Sequence, residues 1–282
     1  MSIEHVDRAT SKAIYLLGVA PESPADTRDA IQADYSMLEI VSAFELDAWL
    51  VRIDREDFDG PAAEKNLADI NWLSPRVMAH QMAVQHIANE VALLPMRFGT
   101  LFSSEQALIE FLFNHYATIA AFLAGDGRHV EWGIKCYADW SLAVDAFQRN
   151  QRSDEADNGA GGGAVGMTYL LKKKLLRERD AALQSWMVER LQPLRDELQR
   201  RVVRLADRGV LQDGKGSTRE CMANWAVLVP REQQEQLQGW VEEMRLQVLD
   251  ANDSLSIEMT GPWPPYSFVP TLDSDERRGK AA

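Results

Sequence analysis

Cysteine is scarce in this chain: Cys136 and Cys221 are the only two in 282 residues, and they share no Cys-x-x-Cys spacing. That argues against a disulfide framework and a thiolate zinc site, and it predicts a reducing, cytoplasmic setting. Basic side chains are short as well, 30 lysines and arginines against 43 aspartates and glutamates, for a formal charge of -13. Such a field repels nucleic-acid phosphates and anionic lipid head groups, so neither nucleic acid nor a lipid membrane is an expected partner. Long hydrophobic runs are missing too. The longest uncharged stretch, Phe111 to Gly125, contains Asn114 and His115 and falls short of the roughly 20 residues of a spanning helix. Met1 to Lys12 is polar, carries both charge signs and does not read as a secretory leader.

What is present is enough apolar surface for two packed units: 46% of the residues are hydrophobic, and chains of this length divide more often than they build one core. Ala13 to Val19 is an unbroken apolar run, the pattern of a central strand. Met37–Val41 and Leu46–Ile53 lie close enough to pair as a hairpin. Ser74-Pro75 predicts a helix start, followed by a stripe of Val77, Val84, Ile87 and Val91. Leu93 to Thr100 reads as extended, with Leu94, Met96 and Phe98 on one side and Arg97 on the other. A capping box at Ser103 to Gln106 opens a helix with the stripe Leu108, Phe111, Leu112, His115, Ile119 and Phe122. Gly125 ends it.

His129 to Asp139 alternates as a half-buried strand that could complete either sheet, and a second unit is expected to begin near it. Residues 150–163, rich in Ser, Asp and Gly, predict a mobile loop. A helix over about 164–206 carries Met187, Leu191, Leu194, Leu198, Val202 and Leu205 in a narrow stripe that suggests a coiled-coil-like element. Pro193 is expected to kink or divide it. Ala223–Val229 and Leu255–Thr260 read as strands, and Glu232–Leu249 as the helix between them. The expected fold is α+β: a ferredoxin-like sandwich over 1–126, with helices on one sheet face, and a modified unit with a long helix over 127–282.

Candidate chemistry is thin. Gly161, Gly163 and Gly166 form a Gly-x-Gly-x-x-Gly string, but acidic, loop-forming residues precede it where a nucleotide site needs a strand. His80 and His86 are six apart, on different faces of a helix, and no His-Glu-x-x-His occurs. His80 and His115 read as core histidines. Arg97, inside an apolar segment, needs a carboxylate or a partner surface, with Glu131 one candidate. No catalytic, cofactor-binding or metal-binding residue is assigned, and no small-molecule substrate is expected. The alternative is an α/β enzyme or small-ligand sensor using Gly161–Gly166 or Arg97.

Two segments are distinctive. Gly261-Pro262-Trp263-Pro264-Pro265-Tyr266-Ser267-Phe268 packs three prolines and three aromatics into a stiff, polyproline-like stretch. Leu94-Pro95-Met96-Arg97-Phe98-Gly99-Thr100 follows Asn71-Trp72-Leu73 and His80. Both, the second together with the preceding Asn71-Trp72-Leu73 and His80, resemble signatures of the gas vesicle protein GvpL/GvpF family, and Glu131–Lys135 and Tyr169–Leu171 are similar to its middle region. The resemblance spans about residues 12–268. It implies a ferredoxin-like first domain, a modified second domain and a non-enzymatic, chaperone-like assembly factor of gas vesicles. It implies as partners the apolar major shell protein GvpA and other accessory proteins, in the cytoplasm and as a minor vesicle component. Met96, Arg97, Phe98, Gly99, Trp263, Pro264, Pro265, Tyr266 and Phe268 are the candidate partner-binding residues, with a strap from the second domain's sheet to the interdomain seam as the plainer reading of the C-terminal five.

Overall fold

A computed structural model describes residues 12–58, 61–139, 142–145, 169–210, 219–251 and 254–272. The Gly161–Gly166 string and the acidic loop lie outside them. The chain forms two compact units, one up to Val130 joined by the segment from Trp263, the other from Glu131 to Pro262. The return of the C-terminal segment to the first unit differs from the expectation, because only tertiary packing specifies it.

In the first unit, strand β1 (Lys12–Pro21) is followed by helix α1 (Ala25–Asp34), β2 (Glu39–Ala43) and β3 (Leu46–Asp54). Helices α2 (Pro61–Ala68) and α3 (Ile70–Glu90), short strands β4 (Leu94–Pro95) and β5 (Leu101–Phe102), and α4 (Glu105–Ala124) complete it. The sheet runs β2-β3-β1-β4 with every pair antiparallel, and β5 also pairs with β1.

β1 is buried from Ala13 to Ala20, the cover on both faces that its unbroken apolar run implies; the helices therefore do not keep to one face of this sheet. Tyr15, Leu17 and Trp49 pack with Ile31 of α1 and with Val84 and Ile87 of α3. Residues of opposite parity, Leu16, Ala48 and Leu50, are also fully buried. They lie toward α4, which packs against β1, β2, β4 and β5. Each buried leucine or isoleucine among them contributes about 1.5–3 kcal/mol by leaving water.

Two helix starts differ from the reading. α3 begins at Ile70, capped by the Asp69 carboxylate, which accepts from Asn71 N at 2.9 Å, so Pro75 lies inside the helix. Val77 is exposed rather than part of the buried stripe. Ser104, not Ser103, caps α4 by accepting from Ala107 N at 3.2 Å, a simple N-cap in place of a capping box. α4 is long and apolar enough to cross a membrane by length and composition alone, yet Leu108, Leu112 and Ile119 are fully buried in the protein.

In the second unit, β6 (Val130–Asp139), α5 (Tyr169–Arg201), β7 (Arg204–Asp207), β8 (Arg219–Val229), α6 (Gln234–Ala251) and β9 (Leu255–Trp263) give a sheet ordered β7-β8-β6-β9. β6 thus belongs to the second sheet. α5 continues through Pro193 and stops at Arg201, so Leu205 of the expected stripe sits in β7. Leu183, Met187, Leu191, Leu194 and Leu198 are buried, and α5 packs on β7 and β8. The stripe is therefore a helix-on-sheet contact within the unit. β9 extends to Trp263, past the expected end at Thr260.

Candidate functional site

The segment Leu94–Thr100 is stitched to β1 at both ends. Leu94 and Pro95 pair with Val19 and Gly18, Met96 N donates to Leu17 O at 2.9 Å, and Leu16 N donates to Thr100 O at 3.0 Å. Gly18 admits this approach, since a Cβ there would lie 2.7 Å from Leu93 Cδ1. The chain turns between these anchors, Thr100 N donating to Arg97 O at 3.2 Å and Gly99 holding φ at 82°, a region glycine enters without steric cost. The single extended strand expected over 93–100 is replaced by two short pairings and a turn. Arg97 is carried outward by it.

His80, on the buried face of α3, closes the space beneath that turn. Its Nε2 lies 3.1 Å from Met96 O and its Nδ1 lies 2.9 Å from Tyr15 Oη. A carbonyl can only accept, so Nε2 carries the proton and Nδ1 accepts from the Tyr15 hydroxyl. Gly99 N in turn donates to Tyr15 Oη at 3.1 Å. Burial holds His80 down at about 4 although the Met96 carbonyl favours the protonated ring. Burial pushes the Tyr15 phenol up to about 12, opposed by the Gly99 N–H. Both groups are therefore neutral at pH 7, as the network requires. Phe58, Phe98 and His80 stand around the Tyr15 ring with centroids 5.5, 6.0 and 5.6 Å away. Arg76 covers Trp72 at 4.0 Å, a cation–π contact on the outer side.

The C-terminal motif ends at the same histidine. Tyr266 Oη lies 3.4 Å from His80 Nε2, and Tyr266 packs against the α1/α3 core. Its phenol is pushed up by burial first and then by Tyr15. The backbone there is a 3-10 turn over Tyr266–Phe268, with Tyr266 N donating to Pro264 O at 2.7 Å, rather than a polyproline stretch. Two motifs far apart in sequence thus meet through three side chains: Tyr15, His80 and Tyr266.

The other end of the C-terminal motif is fixed in the second unit. Gly261 has φ 141°, and a Cβ on it would lie 2.9 Å from Trp132 Cε3 and 3.0 Å from Glu131 O. A Cβ on Gly133 would lie 2.9 Å from Thr260 Oγ1. Glu131 is fully buried and takes an ion pair from Arg208, whose guanidinium burial pulls below its ordinary value.

Of the nine candidate partner-binding residues, Met96, Pro264, Pro265 and Phe268 are buried, Phe98, Gly99 and Tyr266 are half-buried, and Arg97 and Trp263 are exposed. Tyr15 was not among them, though it is the only hydroxyl-bearing residue in the apolar run Ala13–Val19. Asp47 was missed too: buried, it accepts from Ser23 N at 2.9 Å and Ser42 Oγ at 2.7 Å and faces Arg28 Nε at 3.1 Å. Its signal is an aspartate inside an apolar strand. Among the described residues no cluster of three His, Cys, Asp or Glu side chains could hold a metal ion.

The chain is similar to known proteins. A gas vesicle protein L from Streptomyces sp. (strain CB03234) is 28% identical over 226 residues, 78% of each chain. Gas vesicle protein L2 from Halobacterium salinarum is 27% identical, over 74% of this chain and 75% of its own. The crystal structure of the gas vesicle protein GvpF from Anabaena sp. PCC7120 superposes with a TM-score of 0.66 at 17% identity, covering 93% of this chain and 97% of that one. GvpF from Microcystis aeruginosa gives 0.63 at 18%, covering 92% and 99%; at these identities the likeness concerns the fold. With its sequence pattern matched from residue 13 to 270, both motifs included, the chain belongs to the gas vesicle synthesis protein GvpL/GvpF family.

Proposed function

We propose that this protein is a non-enzymatic assembly factor that binds the apolar major shell protein GvpA in the cytoplasm. It supports nucleation and growth of the vesicle wall and stays with it as a minor component. The observation that carries the reading is family membership across both units, 13–270, with names of gas vesicle proteins on the relatives. A strongly acidic chain suits the task, since net charge keeps a complex with a greasy subunit in solution. The buried Tyr15–His80–Tyr266 network serves as a structural pin holding Arg97 and Trp263 in place as surface contacts. Both units are variants of the ferredoxin-like fold, a reading supported in the first by the antiparallel order β2-β3-β1-β4. Co-expression of the tagged chain with GvpA, followed by affinity capture, tests the role. GvpA in the eluate at high salt supports it, and an eluate free of GvpA refutes it.

A further inference from the structure

The helix α4 has a second face that the core does not use. Between Glu110 and Asp126 it carries no Asp, Glu, Lys or Arg, and only 33% of its most apolar window is buried. Phe113 is 65% exposed, Tyr116 38% and, in the β2–β3 turn, Phe44 43%. The Phe44 and Phe113 rings meet at 5.5 Å. Contiguous exposed apolar surface, as opposed to scattered single residues, is the feature that marks interaction sites.

The turn itself adds a separate observation. Ala43 pairs with Leu46, so Phe44 and Glu45 form a two-residue hairpin loop, and both hold positive φ, 56° and 59°. That conformation belongs to Asn and Gly. A phenylalanine there holds a strained backbone while its ring packs on Phe113 and stays 43% exposed, and such strain collects at functional positions.

Charge selects the occupant. Glu45 borders Phe44, Glu110 precedes Phe113 by one turn, and both are exposed. Glu105 shares Arg52 with Glu39, at 3.4 and 2.8 Å, so that cluster is acidic as well. A second copy of this chain would bring carboxylate against carboxylate, and an anionic bilayer would be repelled. We infer that the Phe44–Phe113–Tyr116 face docks an apolar helix of a partner protein whose flanks carry lysine or arginine. The inference rests on the assembly role and deepens it by naming the site and the partner's chemistry.

The test uses the full chain and two fluorescent amphipathic peptides with the same leucine-alanine stripe, one flanked by lysines and one by glutamates. Anisotropy is expected to show the lysine peptide binding ~10-fold tighter, the preference shrinking with salt. Phe113→Ser and Tyr116→Ser each weaken it ~10-fold, the size of a hot-spot loss. Phe44→Asn weakens binding while leaving the unfolding midpoint unchanged or raised, a split that a purely structural role would not give. Equal binding of the two peptides, or binding indifferent to these substitutions, overturns the proposal. So does phosphatidylcholine-vesicle flotation or a sedimentation dimer that Phe113→Ser abolishes, since the occupant would then be lipid or a second copy. GvpA still captured by Phe113→Ser, with peptide selectivity lost, overturns this face alone. Failure of the unsubstituted chain to capture GvpA overturns the assembly role.

Discussion

His80 is the residue at which the two motifs are joined, and its protonation is therefore a stability question. Its pKa is about 4 in the fold because of burial, below the ordinary value of about 6.5 expected once unfolded. Between these values the unfolded chain binds the proton that the folded chain refuses. The neutral-histidine contribution is thus complete above about pH 6.5 and is lost as pH falls toward 4, on the order of 3 kcal/mol in all. Urea titrations from pH 7 to pH 4 should show this decline, and His80→Gln should flatten it. Removing one hydroxyl has a different signature. Tyr15→Phe leaves the Gly99 N–H and His80 Nδ1 without their shared partner and is expected to destabilise by about 1–3 kcal/mol. Tyr266→Phe breaks only the long 3.4 Å contact and should stay within about 1 kcal/mol. Gly261→Ala meets both a positive φ of 141° and Trp132 Cε3 at 2.9 Å, so denaturant midpoints should register a loss of about 2 kcal/mol or more.

Among the elements, α3 separates what local sequence specifies from what packing specifies. Ser74-Pro75 has the appearance of a helix start, yet the helix begins at Ile70 because Asp69 supplies the cap. Asp69→Ala should therefore lower stability by about 1 kcal/mol in chemical denaturation, while Ser74→Ala stays within about 0.5 kcal/mol. β1 was legible because a strand covered on both faces is apolar at every position. The Leu94–Thr100 segment was not, since its alternation says strand while Gly99 at φ 82° turns the chain. α5 was legible in its stripe but not in its end: Leu205 keeps the helical spacing and still pairs in β7 opposite Val227. His80 could be read as a hydrogen-bonded core histidine from its helix face. Its partners could not, because Tyr15 and Tyr266 reach it across 65 and 186 residues of sequence.

For the whole molecule, family membership followed from the motifs rather than from visible chemistry. Their resemblance was readable residue by residue, and family membership over 13–270 agrees with it. The outward face of α4 was not readable, because the same apolar residues that predict a core helix leave Phe113 at the surface. The charge of -13 bears on the central claim directly: an anionic globule should hold a very apolar wall subunit in solution. The measurement is the soluble fraction of GvpA after centrifugation of cells expressing it with or without this chain. A several-fold rise in soluble GvpA, reversed when this chain is omitted, is the predicted result; a soluble fraction that stays the same would contradict it.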